Sequence, residues 1–508
     1  METLFPRVNS VLRIKLLFLL LISCGLIQAQ GISNLWLLGY DCGAVQLCGG
    51  TNINFLSGVP DTLKVSRPMN FFRTNSSISN SSGSLLFYTN GIYIANALDD
   101  TMLNGDNLSP SQFTTMWDHY GLSLPQASLI LPIPGDSLRY LLFHETLENI
   151  SGQGIYQPIE LLYSEIDMSL DGGLGEVVLK NIPIISDTLL ISGITACRHA
   201  NGRDWWIITH RYDSDIYLTL LLTPFGINGP FTQHAGPYIY AGGGDQSVFS
   251  PDGKKFVRYQ IDDDLDFFDF DRCSGILSNP VHVSINDSAA GGGVAVSPNS
   301  RFLYVSSSNY VYQFDLSDTN VASTQSTVAV FDNFTDTAPP FYTDFYLAQL
   351  APDNKIYIIT GNGTHYLHVI NNPDSLGMNC NLVQHAFVLP TYNAATIPNY
   401  PNYFLGADTT NAICDSLNST SEFLLSQTNE LIIFPNPATD ILYLNVPFSK
   451  LTSDLKIYNV VGQEMMLFPK LVHEGSFFEF DITQLVPGIY FFEFIGNNIP
   501  VVGRFIKE

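Results

Sequence analysis

Charged residues are scarce and unbalanced in this 508-residue sequence. Only 14% of the residues are Asp, Glu, Lys or Arg, and 22 basic residues stand against 47 acidic ones, which gives a formal net charge of −25. Such a chain would be repelled by nucleic-acid phosphates and by anionic lipid headgroups. We therefore expect no nucleic-acid partner and no simple adsorption to an anionic membrane.

Long hydrophobic runs are missing after the N-terminus. Three basic residues precede the apolar run Leu16–Ile27, which is too short to span a bilayer comfortably, and Ala29 offers a small residue for cleavage. This pattern predicts a signal peptide over residues 1–29 and no integral membrane segment after its removal. An alternative stays open, because the tetrapeptide LISC that ends at Cys24 resembles a bacterial lipobox, which would make the product a lipoprotein.

Short motifs that carry known chemistry are also absent. The sequence has no Gly-x-Ser-x-Gly nucleophile elbow, no GxxxxGK phosphate loop and no CxxC pair of zinc ligands. His144-Glu145 begins like a zincin motif, but Glu148 stands where the second histidine is required. No catalytic residue is therefore assigned. Paired carboxylates can lie far apart in sequence, so a secreted carbohydrate-active hydrolase or lyase stays open as an alternative.

A repeated unit organises the middle of the chain. The stretch VAVSPNSRFLYVSSSNYVYQFDLSD (Val294–Asp318) has an earlier copy that begins SVFSPDGKKFVRY and a later one that begins AQLAPDNKIYIIT. Pro251, Pro298 and Pro352 occupy the same turn of each copy, and large apolar residues alternate with small or polar ones between turns, as in a strand. A period of roughly 45 to 50 residues with about four strands is typical of a β-propeller.

Turn signals upstream extend the propeller. Asn90-Gly91 and Asn201-Gly202 mark hairpins, and with the three repeats the strand pattern gives six blades. A strand near Asn402–Gly406 is expected to complete a seventh blade with the N-terminal strands of Leu35–Phe55. We therefore predict an all-β chain with a propeller of about seven blades over residues 30–406, with six or eight blades as alternatives.

The composition changes after residue 406. Residues 407–430 are rich in Ser, Thr and Asn with little periodicity, which predicts a linker. Residues 431–508 alternate again between apolar and polar positions, with turn residues such as Gly462 and Pro487-Gly488 between the runs. This pattern predicts a small β-sandwich as a second domain.

Several strings in the first domain resemble a known family. SSGSLLFYTNGIYI, ACRHANGRDWWIITH, FDFDRCSGILSNP and IPNYPNYFLG are similar to signatures of WD40-like or YVTN-like propellers that are common in secreted Bacteroidetes proteins. The resemblance covers about Leu35 to Gly406 and implies an exported propeller. It brings no catalytic residues with it.

The C-terminal strings resemble a more specific family, the type A sorting domain of the type IX secretion system. The match includes FPNPATD (Phe434–Asp440), IYNVVGQ (Ile457–Gln463) and DITQLVPGIY (Asp481–Tyr490). It implies recognition by the secretion machinery at the outer membrane, followed by release or attachment at the cell surface. A generic accessory β-sandwich is the alternative. The residues to which the resemblance assigns the sorting signal are Pro435, Asn436, Pro437, Asp440, Gly462, Gly488 and Lys507.

Two smaller features concern metal ions and disulfides. Asp262, Asp264 and Asp266 are spaced D-x-D-x-D and could supply carboxylate oxygens to calcium, but the glycine and glutamate that an EF-type loop requires are absent. An acidic turn is the alternative, and no other cofactor is expected. Cys42 and Cys48 can close a small loop in an oxidising compartment, whereas the pairing of the remaining cysteines stays open.

Histidines offer two further candidates. His365 and His368 lie three residues apart in a predicted strand, so they point to opposite faces and are unsuited to one metal ion. His199 and His210 flank a Trp-Trp strand and could line a polar pocket, although structural turns explain them equally well. Neither pair supports a catalytic assignment.

These features favour a non-catalytic binding protein, secreted or on the cell surface, whose ligand is an extracellular glycan or protein. A structural, gliding or envelope accessory protein is an alternative, as is the hydrolase or lyase with its site at the propeller channel. A cluster of His, Asp and Glu at the channel would favour the enzyme. An aromatic, uncharged mouth would favour binding.

Overall fold

The computed structural model describes residues 31–43, 46–151, 154–191, 193–240, 246–337, 340–408, 414, 432–434, 438–445, 454–459, 463–468, 477–496 and 499–507. The predicted signal peptide, Cys24 and most of the predicted linker lie outside these ranges. The chain divides into two compact units, Met1–Leu417 and Asn418–Glu508. None of the helices in the described ranges is long and apolar enough to cross a membrane.

The first unit contains eight antiparallel sheets within its described residues. Seven of them are the blades, which we number 1 to 7 in chain order, and the eighth is a two-stranded ribbon. Blades 1 and 2 have three strands, namely β1 (Leu35–Tyr40), β2 (Gly49–Asn54) and β3 (Asp61–Val65), then β4 (Ser76–Ser79), β5 (Leu85–Thr89) and β6 (Ile94–Asn96). Blade 3 contains β7 (Ser128–Pro132), β8 (Arg139–Glu145), β11 (Glu160–Asp167) and β12 (Glu176–Ser186), with the ribbon of β9 (Glu148–Asn149) and β10 (Tyr156–Gln157) inserted. Helix α1 (Gln112–Met116) lies between blades 2 and 3 in the chain.

Blades 4 to 7 each have four strands in chain order. Blade 4 contains β13 (Thr195–Arg198), β14 (Trp205–His210), β15 (Ser214–Thr223) and β16 (Gly226–Ile239), and blade 5 contains β17 (Gln246–Phe249), β18 (Lys255–Gln260), β19 (Asp264–Asp271) and β20 (Ile276–Val283). Blade 6 contains β21 (Gly292–Val296), β22 (Phe302–Ser307), β23 (Tyr310–Asp315) and β24 (Ser326–Val330). Blade 7 contains β25 (Ala348–Leu350), β26 (Ile356–Ile358), β27 (Gly363–Ile370) and β28 (Leu382–Ala394). Single 3-10 turns occur at Asp171–Gly173, Val321–Thr324 and Gly377–Cys380.

The Ser-Pro turns of the repeat join the first and second strands of blades 5 and 6. Ser250 Oγ accepts the backbone N–H of Lys255 at 3.0 Å. Ser297 Oγ accepts that of Phe302 at 2.8 Å in the same way. Gly253 has a φ of 71°, a left-handed conformation that glycine adopts at little cost. The repeated sequence therefore encodes one turn geometry at the end of each first strand.

Apolar clusters join each blade to the next and close the ring. One apolar cluster connects blades 1 and 2, and a larger one is shared by blades 2, 3 and 4. Three further clusters connect blade 4 with blade 5, blade 5 with blade 6, and blade 6 with blade 7. Blade 7 packs on blade 1 around Trp36, whose ring centroid lies 5.0 Å from that of Phe55 and 5.7 Å from that of Tyr357. The predicted seven-bladed propeller is therefore confirmed, and closure of the ring buries the facing sides of the first and last blades against each other.

The seventh blade is built differently from the prediction. Asn402–Gly406 forms no strand, and the N-terminal strands β1 to β3 make a sheet of their own. The segment after blade 7 meets the N-terminal strand through Tyr400 and is fastened to blade 3 through Tyr403. Tyr400 donates its hydroxyl hydrogen to the carbonyl of Leu35 at 2.8 Å, and Tyr403 donates to that of Ile130 at 2.8 Å. Pro398 and Pro401 lack the backbone N–H that a sheet hydrogen bond requires, which explains why this segment does not form a strand.

The second unit is a β-sandwich, as predicted. One sheet contains β29 (Ile432–Phe434), β30 (Ile441–Asn445) and β33 (Phe477–Asp481). The other contains β31 (Leu455–Asn459), β32 (Glu464–Phe468), β34 (Gly488–Gly496) and β35 (Ile499–Lys507). Their facing side chains form one core, which includes Leu442, Ile457, Phe480, Phe492 and Phe505.

Candidate binding site

A cavity of about 800 Å³ opens at the face of the ring where the first strands of blades 5, 6 and 7 end, and we call it the channel mouth. The turn residues Pro251, Pro298 and Pro352, which the repeat pattern identified, line it together. The residues Asn399–Leu405, which we call the strap, line it as well. The repeated turns therefore converge on one opening of the propeller.

Buried amide side chains connect the first strands at the channel. Gln126, which precedes blade 3, exchanges two hydrogen bonds with the backbone of Ser247 in blade 5, at 2.9 and 2.8 Å. Its Nε2 also donates to Asn399 of the strap at 3.2 Å. Gln246 bonds both backbone groups of Ala348 in blade 7. These contacts connect the inner strands through neutral amide groups.

The channel mouth has no ionised side chain in the part of the chain that the structure describes. Its lining includes no Asp, Glu, His, Lys or Arg. Its titratable groups are one thiol and two phenols. Burial raises the pKa of the Cys197 thiol to about 12 and raises the pKa values of the Tyr400 and Tyr403 hydroxyls. None of these groups can act as a general acid or base near neutral pH, whereas neutral amides and aromatic rings suit binding.

The chain beyond the strap is fastened to blades 4 and 5. Arg272 Nη2 donates to the carbonyl of Gly406 at 2.5 Å, and the N–H of Asp408 donates to Ala200 at 2.8 Å. Cys273 then forms a disulfide with Cys414, with the Cα atoms 6.0 Å apart. The sequence left this pairing open, since 141 positions separate the two cysteines.

A second cavity, of about 550 Å³, lies beside the end of β1, and we call it the aromatic pocket. Its five rings come from four separate segments of the first unit. Polar groups of Asp41, Asn70 and Asn362 lie among them. The rings belong to Tyr40, Phe72, Trp117, Tyr120 and Phe341. Sequence analysis missed this site, and the run Trp117–Tyr120 next to a short helix was its strongest local signal.

The predicted disulfide partners border the aromatic pocket. Cys42 and Cys48 are joined by a disulfide, with the Cα atoms 5.2 Å apart. Cys42 itself lines the pocket. The bridge holds the loop that follows β1 and so helps to place Tyr40 and Asp41.

The three aspartates proposed for calcium have different surroundings. Asp266 is buried, and its carboxylate lies 3.1 Å from Arg258 Nη2 and 2.9 Å from His282 Nδ1. Asp264 begins β19 and Asp262 lies in the preceding turn. Among the described residues, no group of three His, Cys, Asp or Glu side chains is arranged to hold a metal ion. The calcium site therefore stays an untested prediction.

The candidate histidines have structural partners. His199 Nε2 lies 3.0 Å from the carbonyl of Cys273, and its Nδ1 accepts the N–H of Asn201 at 3.0 Å. His365 Nδ1 lies 2.6 Å from Asp336 Oδ2. Burial lowers the pKa values of His210 and His368 to about 3, so both are neutral at physiological pH. The ring of His210 contacts that of Tyr217 edge-on, with the centroids 4.4 Å apart. No histidine of this set lines the channel mouth.

The proposed sorting residues are only partly described. Pro435, Asn436, Pro437 and Gly462 lie outside the described residues. Gly488 and Lys507 face each other in the ladder of β34 and β35. The carbonyl of Asp440, which precedes β30, accepts the N–H of Ile482 at 2.9 Å.

Comparison with known proteins identifies the C-terminal region. Residues 432–508 match the family described as the secretion system C-terminal sorting domain. The second unit therefore contains a type IX sorting tail, which indicates export to the cell surface or medium and implies interaction with the secretion machinery. No curated protein matches the chain.

Three of the solved structures that are similar to the chain are bacterial proteins. A protein from Bacteroides fragilis provisionally described as a 6-phosphogluconolactonase is 14% identical, with 73% of this chain and 98% of that chain covered and a TM-score of 0.41. A Lactobacillus plantarum protein is 12% identical, with 72% and 99% covered and a TM-score of 0.40. A quinonprotein alcohol dehydrogenase-like protein from Bacteroides thetaiotaomicron is 11% identical, with 72% and 77% covered and a TM-score of 0.32. These values say nothing about activity, and the propeller assignment rests on the seven blades of this chain.

Proposed function

We propose that this chain is an exported, non-catalytic propeller that binds an extracellular glycan or protein. The observation that carries the proposal is the absence of any ionised side chain among the described residues of the channel mouth. Hydrolases and lyases need a group that transfers protons or stabilises charge, and such groups have pKa values tuned to the working pH. The aromatic and amide groups of the uncharged channel mouth can bind a ligand, but they cannot transfer protons at neutral pH.

Export follows a two-step route in this proposal. The signal peptide of residues 1–29 directs passage through the inner membrane, and the sorting domain of residues 431–508 is recognised at the outer membrane. The propeller of residues 30–406 is the exported part, and residues 407–430 link it to the sorting domain. The product is then released or held at the cell surface, with lipidation at Cys24 as the minor alternative.

Thermal unfolding of the chain without residues 1–29 tests the binding proposal. The chain would be heated with neutral, acidic and amino oligosaccharides, with peptides and with calcium. A ligand that binds only the folded state raises its stability by about 2.7 kcal/mol at a hundredfold excess over Kd. We expect a saturable shift with one ligand class.

Product analysis of the same mixtures separates binding from catalysis. Each ligand that shifts the unfolding temperature would be incubated with the protein and examined by mass spectrometry. An unchanged ligand supports the proposal. Cleavage above the background of a heat-inactivated sample would contradict it and favour the hydrolase or lyase.

A further inference from the structure

A capped helix and contacts between rings brace the aromatic pocket. Ser111 caps helix α1 by accepting the N–H of Thr114 at 3.1 Å, and Trp117 ends the helix. The ring of Trp117 stacks on that of Phe113, with the centroids 5.7 Å apart, and meets that of Tyr120 edge-on at 5.8 Å. Rings held in this way lose little conformational entropy on binding.

Hydrogen bonds fix the polar loops around these rings. The N–H of Asp41 donates to Asn70 Oδ1 at 2.6 Å, and Asn70 Nδ2 donates to the carbonyl of His119 at 2.9 Å. Asn362 Nδ2 donates to the carbonyl of Tyr342 at 3.0 Å. Hydrogen bonds within the chain therefore hold the loop after β1, the segment after α1 and the turn before β27 in place.

Several polar atoms of the pocket remain available. Among the described residues, no hydrogen-bond partner occurs for the hydroxyls of Tyr40 and Tyr120, for the indole N–H of Trp117, or for the second carboxylate oxygen of Asp41. The side-chain oxygen of Asn362 is equally without a partner there. The pocket thus combines aromatic faces with both donors and acceptors, and its size falls in the range of small-molecule sites.

The charged groups near the aromatic pocket limit the class of ligand that it can bind. The carboxylate of Asp41 and the net charge of −25 disfavour acidic ligands. A quaternary ammonium group would need several ring faces within about 6 Å of one point. However, the guanidinium of Arg73 already lies 5.8 Å from the ring centroid of Phe72 and would repel a second cation. A neutral ligand suits the pocket best.

We propose that the aromatic pocket binds an uncharged sugar ring of an extracellular glycan. The C–H faces of a pyranose pack against Trp117 and Tyr120, while its hydroxyls exchange hydrogen bonds with Tyr40, Asp41 and Asn362. This inference rests on the proposed function, since it assigns a ligand class to the binding propeller. It places the ligand beside blade 1 and not in the channel mouth.

Tryptophan fluorescence of the whole chain gives a local readout. The protein has four tryptophans, and Trp36, Trp205 and Trp206 are 1%, 0% and 5% exposed. Trp117 is half-buried and alone among the four lines the pocket. Neutral oligosaccharides of glucose, mannose, galactose and N-acetylglucosamine would be titrated beside oligouronates and choline. We expect a saturable change with one neutral class.

Two variants locate the site. Tyr120→Ala keeps the Trp117 reporter and removes a ring that the sugar contacts, so Kd should rise about tenfold or more. Phe225→Ala removes an aromatic side chain that is 86% exposed in blade 4, far from the pocket in the chain, and should leave Kd unchanged. Thermal unfolding of both variants checks that they fold.

Each other outcome has a defined meaning. If Tyr120→Ala binds a neutral sugar as tightly as the parent does, the sugar site lies elsewhere and this inference is wrong. The proposed function then still stands. Binding of choline or of oligouronates alone overturns the ligand class. Cleavage of a bound sugar overturns the proposed function itself. If no sugar binds and the chain binds a protein ligand instead, this inference is wrong but the proposed function stands.

Discussion

Arg258 Nη2 lies 3.1 Å from Asp266 Oδ2, and the two side chains are 4% and 1% exposed. The residues face each other in the ladder of β18 and β19. A charge pair in such a place is costly to bury but more costly to break, because removal of one partner leaves the other charge unpaired. The pair therefore holds blade 5 in its observed register, and it also occupies a carboxylate that the sequence offered to calcium.

The first prediction concerns this pair. Asp266→Asn should lower the free energy of unfolding by about 3–5 kcal/mol, because Arg258 stays buried without its counter-charge. The measurement is urea unfolding followed by fluorescence. Asp106→Asn removes the partner of Lys180 at an exposed pair and serves as the control, with an expected change of about 0–1 kcal/mol. Equal effects of the two substitutions would contradict the argument.

The second prediction concerns calcium. Since the Asp266 carboxylate is engaged by Arg258 and His282, a chelator should leave the unfolding temperature of the full chain unchanged, and added calcium should not raise it. Differential scanning calorimetry with and without the chelator provides the measurement. A calcium-dependent increase that disappears in Asp264→Asn would restore the metal site.

The third prediction compares the two disulfides. Cys273 and Cys414 are 141 positions apart, whereas Cys42 and Cys48 are six apart. In the chain-entropy account, a longer closed loop gives more stabilisation, about 4–5 kcal/mol near 100 residues. Replacing Cys273 and Cys414 by serine should therefore destabilise the propeller more than the same change at Cys42 and Cys48. Chemical unfolding of both variants under oxidising conditions tests this order.

Local signals in the sequence were sufficient for the architecture. The Ser-Pro turns are encoded within a few residues, since Ser250 and Ser297 cap their own turns, and period-two alternation gave the strands. The strap was not predictable, because the aromatic run at Tyr400 and Tyr403 looks like a strand until buried carbonyl partners from blades 1 and 3 are known.

Long-range proximity explains the remaining differences. The aromatic pocket draws Tyr40, Phe72, Trp117 and Phe341 from separate loops, and only closure of the ring brings them to one cavity. No local sequence pattern predicts that these four residues lie close together. Similarly, the spacing of the aspartates suggested a shared ligand, but the strand opposite Asp266 places an arginine there.

The fourth prediction concerns Glu145, a fully buried carboxyl group in β8. Neither of its oxygens has a hydrogen-bond partner among the described residues, and burial raises its pKa well above the ordinary value of 4.5. The contribution of the protonated Glu145 carboxyl to the free energy of unfolding is therefore complete below about pH 4.5. It is lost as the pH rises through the pKa that the group has in the folded chain. Glu145→Gln should raise the free energy of unfolding at about pH 8 by at least about 1 kcal/mol and change it little near pH 4.

Urea unfolding at both pH values tests the Glu145 prediction. Glu160→Gln, on the neighbouring strand β11 and only half-buried, is the matched control and should have a small effect at either pH. A Glu145→Gln variant that is less stable than the parent at about pH 8 would contradict the prediction.

The last prediction concerns stability in acid. Burial, with a smaller contribution from Arg258, lowers the pKa of His210 from 6.5 to about 3. Between these two pH values the unfolded chain binds a proton that the folded chain does not. Stability should therefore be complete above about pH 6.5 and fall as the pH drops towards 3, by about 1.4 kcal/mol per pH unit for this group.

Replacement of the ring isolates the contribution of His210. His210→Phe keeps an aromatic side chain against Tyr217 and removes the titrating group, so its loss of stability between about pH 6.5 and 4.5 should be shallower than that of the parent. His234→Phe removes a histidine whose side chain is 68% exposed from the same blade and serves as the matched control. Parallel slopes for His210→Phe and the parent would mean that His210 is protonated in the folded chain, and the buried ring would then need an anionic partner.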